Sequence, residues 1–142
     1  MNSLGKQVAE MSVGFEEEIA EMLVEAAAAK AAWVQQLGVM AQSGISKDQR
    51  EILRQIRMDD AKHLRILEDI LRVKGKSAAA RIQAEKVTVS TIQPPSLKKA
   101  AALKLRSAEF TRKLYQNSPH SQPILEILQD DTNNAIRLCL ME

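Results

Sequence analysis

The stretch Ile56-Arg57-Met58-Asp59-Asp60-Ala61-Lys62-His63-Leu64-Arg65-Ile66-Leu67 decides the reading of this chain. It lies in a run free of Gly and Pro that reads as helix. Residues three and four apart share a helix face, so Ile56, Asp60, His63 and Leu67 form one stripe. A core-facing stripe ordinarily carries Leu or Ile. Here a carboxylate and an imidazole hold its two central positions. Buried polar groups are costly without partners, so the functional question is what Asp60 and His63 meet inside.

Working outward, the chain divides into four helices. The first is expected from about residue 12 to residue 42, with Ser12 as N-cap and Glu16, Glu17 and Glu18 at the positive end of the helix dipole. Its inward stripe is Phe15, Ile19, Met22, Ala26, Ala29, Trp33, Leu37 and Met40. Residues 1–12 read as a weakly amphipathic lead-in. The second helix starts at Ser46, where Gln49 completes a capping box, and ends near Gly75. It turns Leu53, Ile56, Asp60, His63, Leu67 and Ile70 inward. A short helix is expected over 77–86. The following Val87-Thr88-Val89-Ser90-Thr91-Ile92-Gln93-Pro94-Pro95 resists helix through its β-branched run and paired prolines. A connection this long lets the chain cross between the ends of a four-helix bundle. The third helix follows Ser96, with Ala101, Leu105, Ala108, Thr111 and Tyr115 inward. After a short loop at 117–121, the fourth begins near Pro123 and turns Ile124, Ile127, Asp131, Asn134, Leu138 and Met141 inward.

Composition agrees with helices. Hydrophobic residues make up 45% of the chain and aromatics only 3%, with five Gly and four Pro; this favours long helices over sheet. One domain spanning 1–142 is expected. The net charge of +2 and the lack of aromatics among the basic residues argue against nucleic acid. No apolar run is long enough to span a membrane, and no secretory leader is evident. The single Cys139 points to a reducing, cytoplasmic setting and reads as a small core residue. His120, in a polar loop, reads as solvated.

The second half of the chain echoes the first. Ile56, Asp60, His63 and Leu67 match Ile127, Asp131, Asn134 and Leu138 at one constant offset, and Asp59-Asp60 matches Asp130-Asp131. Trp33 matches Tyr115, and Ala26 matches Ala108, at a larger offset. A repeated helix pair suits a pseudo-symmetric bundle. With this repeat in view, Asp59-Asp60-Ala61-Lys62-His63 resembles the Asp-Glu-x-x-His segment of ferritin-like proteins, the small rubrerythrin-like branch in particular. Asp130-Asp131-Thr132-Asn133-Asn134 resembles its second copy. The resemblance covers about residues 12–141 and implies an all-α, ferritin-like antiparallel four-helix bundle with a long crossover between helices 2 and 3.

The resemblance also implies a site. That family holds two irons with one Glu from each of helices 1 and 3 and a Glu-x-x-His from each of helices 2 and 4. Position by position, the helix 2 and helix 4 carboxylates fall on Asp60 and Asp131, and the imidazoles on His63 and Asn134. The other two carboxylates, seven residues before an aromatic, fall on Ala26 and Ala108. Glu25 and Glu109 lie one residue away and need a π-bulge to turn inward. Two readings stay open. In one, Asp60, His63, Asp131 and Asn134 satisfy each other, with Tyr115 and a water, in a network without any cofactor. In the other, they are residual metal ligands for a single iron, zinc or manganese ion. The corresponding functions are a diverged protein with a structural or interaction role, or a redox or iron-handling metal protein; whether it is an enzyme stays open.

Charge is unevenly distributed. Glu16, Glu17, Glu18, Glu21 and Glu25 make helix 1 acidic, while Lys98, Lys99, Lys104, Arg106, Arg112 and Lys113 make helix 3 basic. These faces are expected to be solvated, to attract each other across the bundle, or to meet in a homodimer.

Overall fold

The computed structural model describes the backbone of residues 3–43, 45–76, 96–118 and 120–141, and side chains in those spans from residue 17 onward. Four helices account for nearly all of it: α1 (Ser3–Met40), α2 (Lys47–Val73), α3 (Leu97–Asn117) and α4 (Ser121–Leu140). No strand occurs among the described residues. The first helix starts earlier than expected: no helix boundary falls at Ser12, and the α1 backbone runs for 38 residues, about 57 Å at 1.5 Å per residue.

The helix ends follow local chemistry. Ser46 accepts a hydrogen bond from the Gln49 backbone N–H at 3.2 Å, and Gln49 Oε1 accepts one from the Ser46 N–H at 3.2 Å. This reciprocal box starts α2. Gly75 adopts φ 73° and Lys76 N–H returns to the Leu71 carbonyl at 2.8 Å, a left-handed stop that suits glycine. Ser96 caps α3 by accepting from the Lys99 N–H. At α4, His120 occupies the cap position without a side-chain hydrogen bond.

Two apolar clusters show how the helices run. In one, Ile19, Leu23 and Ala27 of α1 meet Leu67 and Leu71 of α2, Leu114 of α3, and Ile124 and Ile127 of α4. In the other, Trp33, Leu37 and Met40 meet Leu53, Ile56, Ala100, Ala101 and Leu138. The α1–α2 and α3–α4 pairs are therefore antiparallel hairpins, and α2 and α3 run parallel to each other, both from the second cluster to the first. The end of α2 and the start of α3 consequently lie at opposite ends of the bundle. The residues between them, including the short helix expected over 77–86 and the β-branched run, lie outside the described residues. The two hairpins pack within themselves far more extensively than against each other.

Most inward positions are as the periodicity predicts. The exceptions are spread over all four helices. On α2, Leu71 is buried and Ile70 only partly so. On α3, the stripe is rotated: Ala100, Ala101, Lys104, Ala108, Thr111 and Leu114 are buried, while Leu105 is 52% exposed and Tyr115 half-buried. The reason is that Lys104 takes the inward position, which the expectation of a solvated basic face denied it. On α1, Ala29 and Met22 are only partly buried. On α4, Met141 is half-buried and Cys139 is exposed, because Leu138 takes the core position beside it. The stripe correction is testable by denaturant unfolding: Leu114→Ala should cost about 2–5 kcal/mol, whereas Leu105→Ala should stay within about 0.5 kcal/mol of wild type.

Candidate functional site

Between the two apolar clusters lies a layer of buried charge. Asp60, His63, Lys104 and Asp131 are fully buried, and Lys30 is 3% exposed. Each of the four helices contributes: Lys30 from α1, Asp60 and His63 from α2, Lys104 from α3, and Asp131 from α4. All five sit mid-helix, where a regular backbone holds their Cα atoms and leaves only side-chain rotation free.

Lys104 Nζ donates to both oxygens of Asp60, at 2.5 Å to Oδ1 and 2.6 Å to Oδ2, and lies 3.4 Å from Asp131 Oδ1. Lys30 Nζ donates to Asp60 Oδ1 at 2.9 Å and also to Asp131 Oδ1. Both ammonium groups thus bridge the same two carboxylates, and the four charges balance. Thr111 Oγ1, bonded to the Ser107 carbonyl at 2.9 Å, approaches Asp131 Oδ2 at 3.4 Å. The Trp33 ring supports the layer from one side. Lys104 Nζ lies 4.6 Å from its centroid, within cation–π range, and Trp33 Nε1 donates to Ser107 Oγ at 3.2 Å.

His63 links this layer to the surface. Its Nε2 lies 2.7 Å from Asp130 Oδ2, a carboxylate that lines an open cleft with Asp59, Asn133 and Asn134. Its Nδ1 faces the interior, 3.7 Å from Asp60 Oδ1 and 3.9 Å from Asp131 Oδ1, and has no hydrogen-bond partner. Asn134 turns away from the layer: its amide donates to Asp59 Oδ2 and its carbonyl accepts from Arg137, both at 3.2 Å. The expected foursome is therefore three and one. Asp60, His63 and Asp131 come together, with ligand-type atoms within 4.8 Å of one another, and the buried Asn134 bonds instead to Asp59 and Arg137. Tyr115 packs against an apolar cluster instead.

The expected network lacked its two main members. Lys30 falls on the same α1 face as Ala26, Trp33 and Leu37, and its spacing from them was the available signal; its charge hid it. Lys30 of α1 and Lys104 of α3 lie at the level of Asp60 and Asp131. Ala26 lies in the apolar cluster toward the α1 N-terminus. Glu25 and Glu109 are exposed on uninterrupted α-helix.

The environment tunes the charges. Burial alone would raise the Asp60 pKa, but Lys30, His63 and Lys104 more than offset it and hold Asp60 well below the usual carboxylate range. Burial opposes the Lys30 charge, yet Asp60 and then Asp131 hold its pKa above the ordinary lysine value. For Lys104, burial and the Lys30 charge prevail, and its pKa is pushed down despite both aspartates. Two dications would not fit this donor set. The positions that face Asp60 and Asp131 carry ammonium groups, so the carboxylates are already neutralised.

Comparison with protein-family models, curated proteins and solved structures finds no match.

Removing one member of the layer strands a buried charge. Asp60→Ala or Lys104→Met should each cost about 3–5 kcal/mol in urea unfolding, whereas replacing Lys30, Asp60, Lys104 and Asp131 together by apolar residues of similar volume should be neutral or stabilising. Acid provides a second check. The folded pKa of Asp60 is depressed, so the unfolded chain takes up this proton first. Its contribution is complete above the unfolded value of about 3.9 and is lost as pH falls further. The stability difference between wild type and Asp60→Asn should therefore shrink between about pH 5 and about pH 2.

Proposed function

We propose that this chain is a diverged ferritin-like protein of the rubrerythrin-like kind, in which two lysine ammonium groups stand in for metal ions and the bundle serves a structural or interaction role. One observation carries this reading: Lys30 and Lys104 project between Asp60 and Asp131, at the centre of the four helices. The helix order supports it as well, because two antiparallel hairpins whose connecting ends lie at opposite ends of the bundle are what a ferritin-like crossover requires. The repeated Asp59-Asp60 and Asp130-Asp131 pairs fall on equivalent helices. A lysine in place of a ligand changes the local charge by two units relative to a glutamate and removes the need for a cation. The layer would then fix helix register in a core otherwise built of Ala, Leu and Ile.

A second reading has one observation in its favour. His63 Nδ1 is buried, lacks a partner and faces Asp60 and Asp131, so a single iron, zinc or manganese ion would find an imidazole and two carboxylates there, provided both lysines moved aside. Elemental analysis of protein purified after iron and zinc supplementation separates the two. The structural reading expects substoichiometric metal and an unchanged melting temperature on adding either ion. About two irons per chain with an oxo-bridged absorption would overturn it.

Self-association belongs to the same proposal. Glu17, Glu18, Glu21 and Glu25 of α1 are exposed, as are Lys98, Lys99, Arg106, Arg112 and Lys113 of α3. A homodimer pairing these faces should be weakened by salt, since exposed charges are screened within about 10 Å at 0.1 M ionic strength. Sedimentation velocity at low and high salt is the measurement; a monomer at both would remove the dimer.

A further inference from the structure

The Lys104–Asp60 contact carries chemistry beyond an ion pair. Amide formation between an amine and a carboxyl is opposed in water by solvation of the two charges and by the excess of water over product. Neither obstacle is strong where both groups are sealed from solvent. Lys104 and Asp60 are each fully buried. The amine nitrogen lies astride the carboxyl group, at 2.5 and 2.6 Å from its two oxygens. A second buried carboxylate, Asp131, stands 3.4 Å from the same nitrogen and is itself charge-compensated by Lys30. Both reacting residues sit within their helices, away from the ends. Such fixed proximity is worth several powers of ten in effective concentration.

We propose that Lys104 and Asp60 join in an intramolecular isopeptide bond, cross-linking α3 to α2 in the bundle centre. The step balances within the layer. One ammonium proton passes from Nζ to an Asp60 oxygen, giving a neutral amine and a neutral acid. The Nζ lone pair attacks Asp60 Cγ, and a second proton leaves Nζ for Asp131. Asp131 delivers that proton to the departing hydroxyl, which leaves as water. The product is a secondary amide with one N–H, and Lys30 and Asp131 remain as a balanced pair. No oxidant, metal or outside reagent takes part. Lys104 and Asp60 start as a charge-paired couple, so the bond forms by slow maturation of the folded protein. The proposal rests on these contacts alone and stands whether or not the chain descends from metal proteins.

Intact-mass spectrometry of the full-length protein, purified and incubated folded at neutral pH, tests it. The expected result is a species one water lighter than the sequence, growing with time. After unfolding and trypsin digestion, a branched peptide should join the Asp60 and Lys104 segments, with no cleavage at Lys104. The folded Lys104→Arg variant should keep the full sequence mass. A wild-type mass that stays at the sequence value after prolonged incubation, with helical circular dichroism intact, would overturn the proposal. So would a water loss that maps to any other pair, Lys30 with Asp131 included.

Discussion

Electroneutrality in the bundle centre is the constraint on which the rest of the structure depends. Two carboxylates buried without counter-charge would be intolerable, because the cost of removing an ion from water is several kcal/mol even after relaxation. Asp60 and Asp131 sit at the same level on α2 and α4, and a cation must meet them there. Lys30 and Lys104 supply it from the remaining two helices. Each ammonium contacts both aspartates, so the four helices are tied pairwise across the bundle by one shared layer. That layer joins the α1–α2 hairpin to the α3–α4 hairpin, which approach each other less extensively than their own helices do.

The layer also organises what surrounds it. Trp33 is the largest side chain near the cluster and serves three ends at once: it fills the apolar cluster on one side, offers its ring face to Lys104, and donates to Ser107. Ser107 and Thr111 then carry polarity along α3 toward Asp131. On the other flank His63 passes from the buried charges to Asp130 at the surface, and Asn134 closes a parallel contact to Asp59. Polar groups that look isolated along the sequence thus form one gradient from the bundle centre to solvent. A lysine at each of two positions supplies the positive charge that faces the two aspartates.

Much of this was legible before folding. The α2 and α4 stripes stand out because Asp60, His63, Asp131 and Asn134 interrupt strong apolar periodicity, and because the two stripes repeat. The capping box at Ser46 and Gln49 and the stop at Gly75 follow from local chemistry. The α3 stripe was less legible. Leu105 and Lys104 are neighbours, and hydrophobicity alone assigns the inward place to Leu105. Nothing local says that a carboxylate pair on other helices makes Lys104 the better choice. Lys30 was missed for the same reason: in a run of alanines, a lysine reads as the solvated member. Cys139 was misplaced by a single position beside Leu138, a step of about 100° on a helix.

By itself, the sequence determined the four described helices, the caps of α2 and α3, the antiparallel hairpins and the presence of buried carboxylates, because these follow from periodicity and short-range backbone chemistry. Only the tertiary structure decided what neutralises the carboxylates. That choice depends on the sum of charges from four helices at one level of the bundle, a long-range property that no single stretch encodes. It set Asp60 among two lysines and a second aspartate, with His63 beside them, and it placed Lys104 against Asp60.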